Sequence, residues 1–390
     1  MFQKNRERLS KKLENHILVI AAHAQMQYSA DVPYPFRQDS NFWYLTGINE
    51  PDLVLVIDTQ KSESVILLPE QNDYQKLWDG ENKAAQFTKT SGISKFDTIE
   101  SLTKLLKQAK SESKTIGYLA PLPEIVEPYG FYANPARRRI ESIIKAVEAD
   151  PTDIRAEIAR LRQIKQPNEI ISIRSAVAVT AQALADVKKT LSDCQTEKDI
   201  ERALSRGFYM DGADGHAFEP IIASGKNAAT LHYNNNDAVI EQNALLLMDV
   251  GATHGGYAAD ISRVWSVGTP PKRQFEVYET LLDIQQKALS ILKPGITIKE
   301  FQDKVEKYSK KKQKEIGIVS AGIPHGVSHH LGFDVHDAGD YHTPLSANMV
   351  ITVEPGIYLP DEGIGVRIED DVLMTSTGIE VISAGIPKDL

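Results

Sequence analysis

The sequence predicts two domains, an α/β domain over residues 1–150 followed by an α+β domain over residues 151–390. Three observations lead there. Short apolar runs alternate with amphipathic segments through the first 150 residues, the mark of a small α/β unit. The stretch "AVEADPTDIRAE" around residue 150 is polar and carries a proline, as a boundary would. Beyond it come long helical periodicities and then, from about residue 218, strands mixed with further helix.

Taken in order, "MFQKNRERLSKKLENHILVIAAHA" reads as an amphipathic helix followed by a strand. Its apolar stretch, Ile17 to Ala22, is shorter than a secretory core region, and Glu7 and Glu14 interrupt the basic lead-in. The runs Ile17–Ala22, Leu53–Asp58, Ser64–Pro69 and Thr115–Ala120 are rich in Val, Ile and Leu and have the length of buried strands. "IESLTKLLKQAK" is a helix between two of them. In the second domain, Pro167 opens a long helix, because its missing N–H falls where a helix has no partner for it. Thr196 and Asp199 stand at capping-box spacing before "IERAL". One further helix is expected, over "KRQFEVYETLLDIQQKALSIL".

Composition narrows the function. The 390 residues are 42% hydrophobic and 25% charged, which is ordinary for a globular protein, and the net charge of -9 argues against nucleic acid or an anionic membrane as main partner. Cys194 is the single cysteine, so the chain can form neither a disulfide framework nor a thiolate metal cluster within itself. A cytoplasmic setting is expected, and no stretch is expected to span a membrane.

The chemistry begins with "LLLMDVGATHGGYAADISRVW", residues 245 to 265, two apolar strands joined by a glycine-rich turn. With the turn centred on His254 and Gly255, Asp249 faces Asp260. Opposed like charges destabilise a sheet, by roughly 3 kcal/mol at ~5 Å and an effective dielectric of ~20. Two more apolar strands carry acids. In "NMVITVEPGIYL" Val350, Thr352 and Glu354 share a face, and in "GIGVRIEDDVLM" Arg367 and Glu369 do. A buried carboxylate is costly unless paired or bound to metal, and Arg367 can neutralise one acid, not four.

Eight of the ten histidines fall between residues 216 and 342, and "PHGVSHHLGFDVHD" supplies His325, His329, His330 and His336. Whether that segment is helical or extended, His325 and His329 share a face and His330 points away. A lone Asp on a strand is more often a turn or cap residue than a ligand. The set of two Asp, one His and two Glu on apolar strands shifts the odds, since four carboxylates to one imidazole is a hard, oxygen-rich donor set. It suits Mn²⁺, Mg²⁺, Fe²⁺ or Co²⁺ better than a structural zinc, and points to a two-metal hydrolase.

The same residues resemble a family. "FEPIIASGKNAATLHY", "LLLMDVGATHGGYAADISR", "PHGVSHHLGFDVHD", "ITVEPGIY" and "GIGVRIEDD", in that order, resemble aminopeptidase P, the Xaa-Pro aminopeptidase branch of the pita-bread metallopeptidases. "YPFRQDSNFWYLTGINEPD" resembles the creatinase-type N-terminal domain of that branch, so the likeness covers nearly the whole chain. It implies that Asp249, Asp260, His329, Glu354 and Glu369 hold two divalent metal ions, usually Mn²⁺, with Asp260 and Glu369 bridging them. It implies that His232, His325 and His336 position substrate and handle protons, that Arg367 lies near the site, and that Glu354 serves catalysis as well as metal. The implied reaction removes the N-terminal residue from peptides with proline second, through hydroxide activated by the two ions, in a homo-oligomer. One stretch departs from the family: "LWDGENKAAQ" keeps Trp78 and Gly80 but lacks the Arg and Gly that often follow.

The nearest rival is a Xaa-Pro dipeptidase with the same site, against which "FRQDSNFWYLTG" argues. Methionine aminopeptidase commonly lacks the large N-terminal domain. Protein-binding or creatinase-like relatives typically lose ligands that this chain keeps.

Overall fold

The apolar runs of the first unit become one six-stranded mixed sheet. Its strands are β1 (His16–Ala21), β2 (Val54–Asp58), β3 (Glu63–Leu68), β4 (Lys95–Thr98), β5 (Thr115–Tyr118) and β6 (Thr152–Asp153), in the order β6-β5-β1-β2-β3-β4. The computed structural model describes residues 1–390 apart from positions 82, 127, 128, 320 and 321. Leu18 and Ile20 of β1 enter one apolar cluster and Ile17 and Val19 the other, so the run is continuously apolar rather than alternating. Helix α1 (Phe2–Ser10) precedes β1, and α2 (Ser101–Ser111) buries Leu102, Leu106 and Ala109. In "FRQDSNFWYLTG" Asp39 caps a short helix by accepting from the backbone N–H groups of Asn41 and Phe42, and Phe42, Tyr44 and Leu45 are core. Trp78, in "LWDGENKAAQ", is 70% exposed, and Asn82 of that stretch lies outside the described residues.

The boundary differs from the expected residue 150. The chain divides into Met1–Leu161 and Arg162–Leu390. The polar stretch is no linker: Thr152–Asp153 pairs with β5, and Ile154, Ile158 and Leu161 complete the first unit's core.

The second unit opens with α3 (Pro167–Thr190), with Pro167 in its first turn and a capping box between Gln166 and Glu169. Contrary to expectation, this helix is long and apolar enough to cross a membrane by length and composition. In the structure its buried stripe, including Val179, Ala183, Leu184 and Val187, packs with Ile200, Leu204 and Phe208 of α4 (Glu197–Met210). The Thr196–Asp199 capping box forms as the spacing predicts.

The strands that follow are β7 (Ile221–Ser224), β8 (Ala244–Val250), β9 (Ala252–His254), β10 (Tyr257–Ala258) and β11 (Ile261–Val267). β8 is central, flanked by β7 and β11. Its residues alternate between two cores. Leu246, Met248 and Val250 meet α3 and α4, while Leu245 and Leu247 meet α5 (Lys272–Ile291) and α6 (Ile298–Glu315). Only α5 was expected. The apolar stripe of α6 is narrow, through Ile298, Phe301 and Val305 among lysines, but its Thr297–Glu300 capping box was a readable signal. β12 (Val350–Val353) then joins β15 (Asp370–Met374) and β16 (Ile379–Val381), with the hairpin β13 (Gly356–Leu359) and β14 (Ile364–Arg367) between.

The hairpin register also differs from expectation. Asp249 pairs with Ser262 and His254 with Tyr257, so the turn is centred between Gly255 and Gly256, both at positive φ. The register moves by two, so Asp249 and Asp260 are not directly opposed, yet parity keeps them on one face. The Ala259 N–H bonds Ala252 O at 3.0 Å, which sets Asp260 opposite Gly251. A Cβ on Gly251 would lie 1.8 Å from Ala259 O. Gly251→Ala is therefore expected to lower the unfolding free energy by about 1–3 kcal/mol, the range for overpacking. Denaturant titration checks this, and an unchanged midpoint would show that the hairpin does not need that close approach.

Candidate metal centre

Four strand ends deliver the acids. Asp249 is the penultimate residue of β8, and Asp260 immediately precedes β11. Glu354 follows β12, and Glu369 lies in the break between β14 and β15. Backbone bonds to other segments fix three of them. Asp260 N–H donates to Asp371 Oδ2 (3.1 Å), Glu354 N–H to Val327 O (3.0 Å) and Glu369 N–H to Ser262 O (3.1 Å). The segment carrying His325 and His329 is neither helix nor strand. It lies against β12, where His329 N–H donates to Thr352 Oγ1 (3.1 Å) and Thr352 N–H to His329 O (3.0 Å).

The five expected donors come together. His329 Nδ1 lies 3.0 Å from His330 O, and a carbonyl only accepts, so Nδ1 carries the proton. Nε2 is then a bare acceptor, yet it lies 3.3 Å from Asp260 Oδ2, 3.3 Å from Glu354 Oε1 and 4.0 Å from Glu369 Oε1. Donor atoms of Asp260, His329 and Glu369 all fall within 4.8 Å of one another. Adjacent ligands on an ion at about 2.1 Å stand roughly 3.0–3.4 Å apart, so the two 3.3 Å separations suit a shared cation. Asp249 Oδ1 and Glu369 Oε1 are buried without a hydrogen-bond partner among the described residues. Acceptors facing acceptors, with buried oxygens unpaired, fit divalent metal.

Electrostatics agree. Burial, followed by Asp249, Asp371 and Glu354, pushes the Asp260 carboxyl well above the usual range. Burial, then Asp260, Glu354 and Asp249, does the same to Glu369, and burial raises Glu354 to about 7 despite His329 and Arg367. Arg367 bonds Asp249 Oδ2 through Nη2, Ser262 Oγ through Nε (2.9 Å) and Tyr358 Oη through Nη1 (2.5 Å). It offsets one acid only.

Around the acids lies a cavity of about 680 Å³, lined by all five donors, His232, His325, His336 and Arg367. His325 Nδ1–H points to Gly326 O (2.6 Å), leaving Nε2 to accept from the Tyr358 hydroxyl (3.2 Å). The ring of His336 stands edge-on to that of His329, centroids 4.3 Å apart. Burial lowers both His325 and His336 to about 4, helped by Arg367 at the first and His329 at the second, so both are neutral near pH 7. His330 turns away, as expected, with Nε2 3.2 Å from Gln163 Nε2. Sequence reasoning missed Tyr358, Thr352, Ser262 and the carboxylate of Asp371. It also missed an apolar wall of Phe218, Ile221, Leu231, Val335 and Tyr341.

Residues 172–376 match the model of metallopeptidase family M24, and residues 2–117 match the aminopeptidase P N-terminal domain. The chain belongs to metallopeptidase family M24. It is 31% identical to Xaa-Pro aminopeptidase 3 of Homo sapiens, over 96% of this chain and 79% of that protein. It is 31% identical to the Xaa-Pro aminopeptidase of Haemophilus influenzae, over 100% of this chain and 95% of that one. Among solved structures it is similar to zinc-substituted Escherichia coli aminopeptidase P in complex with product, with 28% identity, a TM-score of 0.85, and 99% and 95% of the two chains covered. Its second unit thus has the M24 pita-bread fold behind a creatinase-type N-terminal domain.

In this M24 unit the segment carrying His336 is tied down by buried charge. Asp337 bonds Arg162 through Oδ1 and Lys165 through Oδ2 (3.0 Å), and all three side chains are buried. Arg162 also reaches Asp334 (2.9 Å). Burial alone would raise the Asp337 carboxyl, but the two cations override it and hold it at about 2. A folded-state value below the unfolded value of about 4 gives stability that is complete above pH ~4 and lost as pH falls toward 2, about 2–3 kcal/mol in all. Asp337→Asn should cost about 3–5 kcal/mol at neutral pH, because it strands two buried cations, and should flatten the pH dependence below 4. Urea titrations from pH 7 to 3 measure both effects. A neutral-pH midpoint like the parent's would remove the triad from the account.

Proposed function

We propose that this chain is a Xaa-Pro aminopeptidase, cleaving the first residue from peptides whose second residue is proline. The observation that carries the reading is the single cavity in which five metal-type donors, three histidines and an apolar wall meet. The full-length likeness to proteins named Xaa-Pro aminopeptidase supports it over a dipeptidase. Two divalent ions, Mn²⁺ in the cell, complete the reading, and Asp249, Asp260, His329, Glu354 and Glu369 are the residues that would hold them. Bound there, such ions polarise a carbonyl and lower the pKa of water.

The chain's own groups then divide the work. Glu354 takes the proton of the attacking water. His336 donates a hydrogen bond to the oxygen of the tetrahedral species, a contribution of ~3 kcal/mol. His325 is less suited to that task, since both its nitrogens are engaged by Gly326 O and the Tyr358 hydroxyl. It instead fixes Tyr358 and, through it, Arg367 and Asp249. His232, on its own lining segment, holds substrate. The apolar wall accepts the proline ring, whose acylated nitrogen has no N–H to satisfy. A cytoplasmic homo-oligomer belongs to the same reading, which the lack of a possible intrachain disulfide supports for the compartment.

Metal analysis should find two divalent ions per chain, with activity lost on chelation and restored by Mn²⁺. Glu369→Ala should retain at most one tightly held ion. Two ions and normal turnover in that variant would refute the bridging role that the resemblance implies.

Substrate length separates the two peptidase readings. Peptides of three or more residues with proline second should be cleaved at least as well as the Xaa-Pro dipeptide, and peptides without that proline poorly. A clear preference for the dipeptide, with negligible tripeptide cleavage, would promote the dipeptidase.

A further inference from the structure

Outside the metal centre, one buried carboxylate is bonded more completely than its place on a helix explains. Glu197, the first residue of α4, is 0% exposed. Its Oε1 accepts from Ser224 N–H (2.8 Å) and Asn227 Nδ2 (3.0 Å). Its Oε2 accepts from the Tyr233 hydroxyl (2.8 Å) and Ala238 N–H (3.0 Å). A carboxylate offers about four lone-pair sites, and here every one is used. All four donors come from a single segment, 224–238, which carries His232.

The rest of that segment is fastened beside it. Glu197 N–H donates to Ala238 O (2.9 Å), Ile240 N–H to Gln195 O (2.9 Å), and Thr196 forms a bridge with Val239. Asn236, at φ 51, donates to Glu201 Oε2 (2.9 Å) and Pro220 O (2.8 Å) and accepts from Ile222 N–H (2.9 Å). His232 is treated differently. Its ring bonds no protein group among the described residues, and its segment contains no regular strand beyond Ser224. No hydrogen bond among the described residues fixes the imidazole directly, so the placement of its backbone bears on where it stands in the cavity. The nearest side-chain anchor is the next residue, Tyr233, held by Glu197.

We propose that Glu197 is a positioning residue for His232, acting through Tyr233 and the 224–238 segment to hold the imidazole at the substrate. The substrate role of His232 rests on the aminopeptidase reading, whereas its placement by Glu197 does not. A carboxylate suits this task because four donors, two of them backbone N–H groups, need acceptors in a place closed to water. A glutamine there would turn an N–H₂ toward donors and lose at least one bond.

The test uses the full-length, metal-loaded protein and two variants, Glu197→Gln and Tyr233→Phe. Tyr233→Phe removes one hydrogen bond and carries the test if Glu197→Gln does not fold. Cleavage of a Xaa-Pro-Yaa tripeptide is measured for each variant in the parent and in a His232→Ala background. The expected result is a loss of about 3- to 30-fold in kcat/KM in the parent and less than about twofold without His232, since misplacement of a contacting group costs up to about a hundredfold. Metal content should be unchanged. In parallel, histidine ¹³Cε1 spectra, with His232 assigned by its loss in His232→Ala, should show its signal shifted or broadened in both variants. Equal losses in the two backgrounds, or an unmoved His232 signal in a folded variant, overturns the proposal. If the parent cleaves no Xaa-Pro peptide, the functional reading fails on its own and the His232 signal still decides the positioning.

Discussion

Four carboxylates lining one cavity, three of them within 4.0 Å of a single unprotonated imidazole nitrogen, are the constraint on which the second unit turns. At ~4 Å and an effective dielectric of ~20, each like-charged pair costs about 4 kcal/mol. Arg367 faces Asp249 and offsets one charge, leaving Asp260, Glu354 and Glu369 to repel one another. Side-chain pairing cannot hold such a group together. The fold uses backbone instead: the N–H groups of Asp260, Glu354 and Glu369 each donate to a different segment. The acids are placed by strand ends that are rigid for other reasons, and a divalent ion held there would remove the repulsion.

That placement explains why the surroundings are so heavily cross-linked. β8 is apolar on both faces, so Asp249 sits at the end of a strand locked between two cores. Arg263, fully buried, donates to Glu369 O and Ser262 O and pairs with Asp370 at 2.8 Å, holding the strand break that carries Glu369. Asp337 with Arg162 and Lys165 does the equivalent for the segment bearing His336. Buried ion pairs are weak sources of net stability. Their use here is geometric, since each fixes a loop that no strand or helix would hold.

The legible part of this architecture was what depends on local pattern. Strand runs, the α3 and α4 starts and the four acids follow from apolar periodicity and from acids breaking it, whereas only the family resemblance singles out His329 from His325. The hairpin register was misjudged by two because Gly255 and Gly256 both take positive φ and shift the turn by one position. The error left the donor assignment intact, since parity and not register sets the face. The stretch near residue 150 misled for a related reason: polarity marks an exposed edge strand as readily as a linker. The Asp337 triad was not readable at all. Lys165 lies 172 residues from Asp337 in the sequence, and nothing local in "RLRQIK" distinguishes a buried lysine from a surface one.

The histidines show where residue type stops being informative and geometry takes over. "PHGVSHHLGFDVHD" offers four imidazoles within a dozen residues, and pattern can only sort them by face. In the structure their hydrogen bonds assign them differently. His329 spends its proton on a carbonyl and presents a bare nitrogen to three acids. His325 also gives its proton to a carbonyl, but its other nitrogen takes the Tyr358 hydroxyl and so joins the chain to Arg367 and Asp249. His330 faces Gln163, outside the cavity lining. His336 alone of the four lines the cavity with no hydrogen bond to a protein group among the described residues, and burial keeps it neutral. A neutral imidazole in that position can give a hydrogen bond without bringing a charge that would compete with the cation. One chemical group thus stands in four settings, set apart by the partners of its two ring nitrogens among the described residues.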